Sequence, residues 1–194
     1  MASDPPRETS LTAIRHPPAM ESGPKHLVEL KARYEDLGKA RALLAGSEHV
    51  GTFRQVDTYF LVGERRLKVR RVQGKREGQL VYYERPDESG VKESRVIITP
   101  LPDAAAVAEI LGRAFPVQAE VVKTREIHRY RGVQVHLDTV DGLGRFIEFE
   151  RLLESEAGRE EGKQELETLR RYFQIPDEDM MASSYSDLVP PKQP

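Results

Sequence analysis

Alternation of apolar and charged residues with a period of two constrains this chain more than any other feature of its sequence. In the segment HLVELKAR (26–33), the even positions from Val28 onward are apolar, and the odd positions from Glu29 onward are charged. Successive side chains of a β-strand point to opposite faces of a sheet. The pattern therefore predicts a strand with one apolar face and one charged face.

Similar strand signals recur along the chain and are separated by short connections that contain glycine. Further strands are predicted at 54–62, 66–72, 79–85, 92–99, 120–130, 133–140 and 145–151. Helical periodicity predicts helices at 34–46, 102–115 and 159–173, with a short helix at 176–188. The fold class is therefore α+β, with an eight-stranded antiparallel barrel or sandwich and helices packed against it.

Two arrangements satisfy this pattern. Antiparallel sheets commonly bury an apolar interior and leave their charges in water. However, the amphipathic helices also need an apolar surface, and the outer face of the sheet would provide it. The charges are also segregated by strand, with basic pairs at Lys68 and Arg70 and at Lys123 and Arg125, and an acidic pair at Glu148 and Glu150. We therefore favour the arrangement with a charged interior and the helices outside.

Length and composition narrow the class of protein. A chain of 194 residues predicts one domain at 26–188, between a disordered N-terminal tail at 1–25 and a C-terminal tail at 189–194. The absence of cysteine excludes disulfides, thiolate zinc sites and thiol nucleophiles. The net charge of −2 and the lack of a long apolar run predict a cytoplasmic protein that binds neither nucleic acid nor membrane.

The charged faces suit a triphosphate held together with a divalent metal ion. Arginine offers paired donors to phosphate oxygens, and lysine offers a compact charge. Glu148 and Glu150 are two apart on one strand, so both carboxylates point the same way and can bind Mg²⁺ or Mn²⁺. The histidines His26, His128 and His136 lack the spacing of metal ligands and are interpreted as surface or structural residues. No GxxxxGK[ST] loop is present, which excludes a P-loop mechanism.

The order of the motifs resembles the CYTH superfamily. The resemblance rests on VELKAR, QVDTYF, RLKVR, VVKTR, HLDTVDGLGRFIEFE and SSYSDLV, and it covers residues 26–188. YYERPD and SYSDL look closest to the class IV adenylyl cyclase branch. The resemblance implies a triphosphate tunnel, an eight-stranded antiparallel barrel with helices outside, and it is also compatible with a homodimer.

The resemblance implies a role for each matching residue. The implied catalytic residues are Lys31, Tyr59 and Glu29. The implied triphosphate-binding residues are Lys31, Arg33, Lys68, Arg70, Arg85, Lys123 and Arg125. The implied ligands of Mg²⁺ or Mn²⁺ are Glu29, Asp138, Glu148 and Glu150. One position departs from the family pattern, because Leu27 stands where the Glu-x-Glu-x-Lys motif has its first glutamate.

Three functions follow as alternatives. The first is cyclisation of ATP to cyclic AMP and pyrophosphate. The second is hydrolysis of a triphosphate, as in the thiamine triphosphatases or inorganic triphosphatases. The third is a nucleotide or polyphosphate binder without catalysis, which Leu27 motivates and the retained carboxylates Asp138, Glu148 and Glu150 oppose.

Overall fold

The predicted strands close into one antiparallel barrel. The computed structural model describes residues 23–63, 65–84 and 90–190. The strands are β1 (Gly23–Arg33), β2 (Glu48–Val62), β3 (Arg65–Val72), β4 (Gly78–Glu84), β5 (Lys92–Leu101), β6 (Val117–Tyr130), β7 (Val133–Val140) and β8 (Gly144–Leu153). Their order around the barrel is β1-β5-β4-β3-β2-β6-β7-β8, and β1 pairs with both β5 and β8. Every residue of a strand therefore faces either the interior or the outside.

Three α-helices lie among the described residues: α1 (Leu37–Leu43), α2 (Ala104–Ala114) and α3 (Arg159–Tyr172). Asp36 precedes α1 and accepts a hydrogen bond from the backbone N–H of Lys39 at 2.9 Å. Asp103 caps α2 in the same way, accepting from the N–H of Ala106 at 3.0 Å. Such caps satisfy donors that the first helical turn leaves without partners, and they fix where each helix begins.

The apolar faces of the strands lie beneath the helices, as the sequence predicts. Val28 and Leu30 of β1 are fully buried and belong to the largest apolar cluster, together with Leu166 and Phe173 from the C-terminal region and Leu37 of α1. The opposite face of β1, which carries Lys31, therefore looks into the barrel. The charged-interior arrangement is confirmed for the described residues.

Several boundaries differ from the sequence prediction. Strand β1 begins three residues before the predicted start at His26, and β2 begins at Glu48 rather than at residue 54. Helix α1 is shorter than the predicted 34–46, since Asp36 caps it.

The predicted helix at 176–188 is wrong. The structure has two short 3-10 helices, Asp177–Asp179 and Tyr185–Asp187, with extended backbone between them. The N–H of Met181 donates to the carbonyl of Lys31 at 2.9 Å, so the segment pairs with the end of β1 instead of coiling on itself. None of the described helices combines the length and apolar character needed to cross a membrane.

Candidate active site inside the barrel

Three cations converge on one carboxylate on one side of the interior. Asp57 of β2 accepts from Lys68 at 3.1 Å, from Arg70 at 2.8 and 2.9 Å, and from Lys123 at 2.7 Å. Strand β2 lies between β3 and β6, so the register brings the three donors to the same place. We call these four residues the basic half of the interior.

Asp57 has no exposed surface, so its charge depends on these partners. Burial alone would raise the pKa of Asp57, but the charges of Arg70, Lys123 and Lys68 outweigh burial and hold the pKa well below its usual value. Asp57 is absent from the set of site residues predicted from the sequence. It lies two positions before Tyr59 and so shares its inward face, which is the one signal that the sequence offers.

Lys123 is the most deeply buried cation of this half, with 1% of its surface exposed. Burial lowers the pKa of Lys123 most strongly, the charge of Asp57 opposes burial, and the charges of Arg70, Arg125 and Lys68 add to the lowering, so that the pKa is about 7. Lys123 therefore changes its protonation near neutral pH, unlike an ordinary lysine.

The acidic predicted residues gather on the other side of the interior. Arg125 of β6 donates to both oxygens of Asp138, at 2.8 and 2.6 Å, and to Glu148 at 2.6 Å. Lys31 lies 3.0 Å from the second oxygen of Glu148. His136 has its Nδ1 3.3 Å from Glu148 and 3.6 Å from Glu150. We call Asp138, Glu148, Glu150 and His136 the acidic half.

The buried carboxylates of this half are ionised. Burial alone would raise the pKa of Glu148, but the charges of Lys31 and Arg125 hold it well below its usual value. Burial would also raise the pKa of Asp138, but the charge and hydrogen bonds of Arg125 lower it below its usual value. The interior therefore separates by sign, because β2, β3 and β6 carry the basic half and β7 and β8 carry the acidic half.

The acidic half offers donors that fit a divalent metal ion. Ligand atoms of His136, Glu148 and Glu150 all lie within 4.8 Å of one another. Glu29 is the neighbour of Glu150 in the pairing of β1 with β8, so it lies on the strand adjacent to this group. Carboxylate oxygens are the donors that Mg²⁺ and Mn²⁺ prefer.

Asp138 does not belong to this group of close ligand atoms and, like Glu148, is already engaged by a cation of the interior. Its two oxygens already accept from Arg125, and one of them also accepts from the hydroxyl of Tyr185 at 2.9 Å. In this arrangement Asp138 orients a guanidinium and a phenol. Glu148, Glu150 and His136, with Glu29 beside them, form the group best placed to bind a metal ion.

Leu27 lies in an apolar part of the barrel wall. It packs with Val81 and Tyr83 of β4 and with Val96 and Ile98 of β5. The residue that replaces the first glutamate of the motif is therefore matched by apolar neighbours.

The remaining predicted residues occupy different environments. Tyr59 is buried, and its hydroxyl accepts from Lys68 at 3.2 Å. Burial, followed by the charge of Asp57, raises the pKa of Tyr59, so its phenol remains protonated at neutral pH. Arg33 is exposed and donates to the carbonyl of Leu143 at 3.3 Å, outside the buried group. Arg85 lies outside the described residues.

The C-terminal segment enters the interior from one end. Tyr185 is buried with its ring 4.2 Å from Lys31 Nζ and 5.9 Å from Lys123 Nζ, so it touches both halves. Burial and the charges of Asp138 and Glu148 raise the pKa of its hydroxyl. Lys92 of β5 is also buried and donates to the carbonyl of Ala182 in this segment.

Sequence reasoning assigned no role to Lys92 or Tyr185. It interpreted His136 as a surface or structural residue, whereas the structure buries His136 beside Glu148 and Glu150. Lys92 and His136 carry the usual strand signal, since each lies on an inward position. Tyr185 belongs to an irregular segment and has no periodic signal.

Comparison with known proteins identifies the family. The CYTH domain model matches residues 25–185, which is most of the chain. The chain belongs to the CYTH family. Its CYTH barrel, with a charged interior and helices outside, has the triphosphate-tunnel architecture that the sequence resemblance implied.

Solved structures with the same fold come from archaea and bacteria. The PH1012 protein of Pyrococcus horikoshii OT3 has a TM-score of 0.76 and 24% identity, covering 84% of this CYTH chain and 99% of its own. The PH1819 protein of the same organism has a TM-score of 0.67 and 27% identity, covering 84% and 97%. A proposed adenylate cyclase from Vibrio parahaemolyticus has a TM-score of 0.72 and 19% identity, with the same coverage of 84% and 97%. No curated protein gives a significant match.

Proposed function

We propose that this protein is a metal-dependent enzyme that binds ATP inside its barrel and cyclises it to cyclic AMP and pyrophosphate. The observation that carries the proposal is the convergence of Lys68, Arg70 and Lys123 on one buried point, beside a separate group of carboxylates. Phosphate oxygens would replace the carboxylate of Asp57 as acceptors from these three cations. The donors come from rigid strands, which favours precise placement of the phosphates.

The balance of charge in the interior supports a substrate that binds as a complex of an anionic triphosphate with divalent cations. The basic half is already paired with Asp57, and the acidic half with Arg125 and Lys31. A bare polyanion would leave the interior with excess negative charge, which is costly away from water. A triphosphate that enters with divalent cations brings little net charge, and each sign then meets a matching half.

The reaction uses the residues of this chain mainly for position and electrostatics. In cyclisation, the ribose 3′-oxygen forms a bond to the α-phosphorus, the bond from that phosphorus to pyrophosphate breaks, and the hydroxyl proton passes to water. Lys68, Arg70 and Lys123 would hold the β- and γ-phosphates and stabilise the charge that develops on pyrophosphate. A bound Mg²⁺ or Mn²⁺ at Glu148 and Glu150 would supply Lewis-acid polarisation of phosphate oxygens.

Hydrolysis of a triphosphate is the second candidate, and one contact favours it. Hydrolysis is favoured by hydrogen-bond donors that stabilise the charge on the oxygens of the terminal phosphate, and the protonated Tyr59 beside Lys68 offers a phenol and an ammonium together. ATP cyclisation remains the first candidate because of the sequence resemblance to class IV adenylyl cyclases. The name of the Vibrio parahaemolyticus protein adds a reason to test ATP first.

Product analysis separates the candidates. The protein is incubated with ATP, thiamine triphosphate or tripolyphosphate, each with Mg²⁺ or Mn²⁺, and the products are resolved by chromatography. We expect cyclic AMP and pyrophosphate from ATP. Formation of ADP and phosphate would instead identify the protein as a triphosphate hydrolase. Tight binding of a triphosphate without turnover would identify it as a binding protein without catalysis. Failure to bind any triphosphate would contradict the proposal entirely.

A matched pair of variants links turnover to the acidic half. Glu150 is only partly buried, whereas Glu154 is exposed and lies beyond the end of β8. We expect Glu150→Gln to abolish metal-dependent turnover with the fold retained, and Glu154→Gln to leave turnover unchanged. Full activity in Glu150→Gln would remove the metal-site assignment.

A further inference from the structure

A second group of possible metal ligands lies on the outer surface of the barrel, away from the interior. Pairing of β2 with β6 places His49 opposite His128 and Thr52 opposite Glu126. Glu126 and His128 are two apart on β6 and share its outer face, whereas Lys123 and Arg125 face inward. The structure thus brings together two imidazoles and a carboxylate from different strands.

An irregularity in β2 makes this possible. The register shifts between His49 and Gly51, so Val50 is an extra residue relative to β6. Residues three apart on a regular strand face opposite sides, but one extra residue restores the same side. His49 therefore joins Thr52 on the outer face, and its ring centroid lies 5.0 Å from that of His128.

The donor atoms are close enough for one ion. Ligand atoms of His49, Glu126 and His128 all lie within 4.8 Å of one another, and His128 Nε2 is 2.7 Å from Glu126 Oε1. Bonds of about 2.0–2.2 Å to a tetrahedral Zn²⁺ separate ligand atoms by roughly 3.3 Å. Binding an ion requires the ligand atoms to move to that spacing, and His49 is exposed, so its ring has room to rotate.

Neighbouring residues already orient two of the three ligands. His128 Nδ1 lies 2.8 Å from Ser47 Oγ, and without a metal ion His128 Nε2–H donates to Glu126 Oε1, so a bound ion would take the place of that proton between the two ligand atoms. Arg41 donates to Glu126 Oε2 at 2.9 Å, which leaves Oε1 facing His128. Such outer bonds are typical of metal sites, where they fix the ring orientation and the free oxygen.

We propose that His49, Glu126 and His128 form a binding site for a divalent transition-metal ion of the Zn²⁺ type on the outer face of the barrel. Two imidazoles and one carboxylate suit Zn²⁺ and its neighbours in the first transition series, in contrast to the carboxylate-rich interior group. Three protein ligands leave one tetrahedral position open to water. The site is independent of the triphosphate reaction.

Zinc titration of the tag-free protein in excess Mg²⁺ tests the proposal, with Co²⁺ absorption as a second probe of tetrahedral geometry. We expect one Zn²⁺ per chain at this site. His49→Gln and His128→Gln should each lower the affinity for Zn²⁺ at least tenfold, since even the loss of a residue that only hydrogen-bonds to a metal ligand costs about 10–100-fold. Ser47→Ala should weaken binding by about 10–100-fold. His26→Gln is the matched control and should bind as the wild type does.

The second candidate location is the interior, so His136→Gln is measured in parallel. Zinc binding that is lost in His136→Gln but kept in both His49→Gln and His128→Gln would overturn the proposal, as would no zinc binding by the wild type. His49 is exposed, so His49→Gln decides the matter if His128→Gln fails to fold. Turnover of triphosphate with Mn²⁺ should be unchanged in His49→Gln.

Discussion

At the scale of single residues, Asp57 determines the state of the basic half. One buried carboxylate balances three cations from two neighbouring strands. Removing one member of a buried ionic group leaves charge without compensation, which costs more than the group contributes when intact. Under the proposed function, the same residue would give up its partners to phosphate oxygens and would so link stability to ligand binding.

Asp57→Asn should therefore lower the free energy of unfolding by about 3–5 kcal/mol, the usual cost of breaking a buried ion pair. Tripolyphosphate should restore stability, and its effect on the melting temperature should exceed that in the wild type. Asp141→Asn removes an exposed ion pair with Arg54 and should cost about 1 kcal/mol or less. Equal stability of the two variants, measured by urea denaturation, would contradict this account of Asp57.

Lys123 should make the proposed binding of triphosphate depend on pH. Charged or titratable groups facing it are Asp57, Lys68, Arg70, Arg125, Asp138 and Tyr185. With a pKa of about 7, Lys123 is mostly neutral in the free protein above that pH. A bound polyanion favours the charged form and raises its pKa, so binding at pH 8 takes up a proton and affinity falls as pH rises above 7.

Calorimetric titration with tripolyphosphate at pH 8, in two buffers of different ionisation enthalpy, measures this proton uptake. We expect uptake in the wild type and its loss in Lys123→Gln. The same uptake in both proteins would assign the proton to another group.

At the scale of elements, the close approach of α2 to the barrel depends on Gly78 at the start of β4. A Cβ there would lie 2.2 Å from the carbonyl oxygen of Arg70 and 2.5 Å from Ala104 Cβ. Gly78→Ala should therefore destabilise the fold by about 1–3 kcal/mol through overpacking. Gly158→Ala is the control, since a Cβ at Gly158 meets nothing within 4 Å. Thermal denaturation of both variants checks the difference, and a neutral Gly78→Ala would show that the backbone of β3 and helix α2 can both shift away from the added Cβ.

Alternation along the strands predicts much of the barrel because the direction of a side chain depends only on whether its position is odd or even. It places Lys68, Lys123 and Glu148 inside, where the structure has them. It does not predict which charges meet, since the grouping around Asp57 depends on the register of three strands. The cluster of His49 and His128 requires an extra residue in β2, which no periodic pattern reveals.

The C-terminal segment is where sequence reasoning fails on structure. Its residues suggest a helix at 176–188, but in the structure Met181 and Tyr185 are buried in an apolar cluster at the barrel interior, which an extended segment allows. Ser184 and Asp187 hold the last 3-10 helix through a reciprocal pair of hydrogen bonds. Contacts of this kind are tertiary, so local periodicity cannot indicate them.

At the scale of the whole molecule, closure of the barrel gathers the charged strand faces on one enclosed inner surface. Because β1 pairs with both β5 and β8, the sheet has one inner and one outer surface. The helices cover apolar strand faces, and the inner surface retains two halves of opposite sign beside an apolar wall around Leu27. The same closure separates the outer group of His49, Glu126 and His128 from the interior.

The most direct test of the account is a crystal structure with a non-hydrolysable ATP analogue and Mn²⁺, with the anomalous signal of manganese used to locate the metal. The account predicts phosphates beside Lys68, Arg70 and Lys123, with Asp57 displaced from at least one of them, and manganese beside Glu148 and Glu150. An analogue bound outside the barrel at saturating concentration, with the interior ion pairs intact, would contradict it.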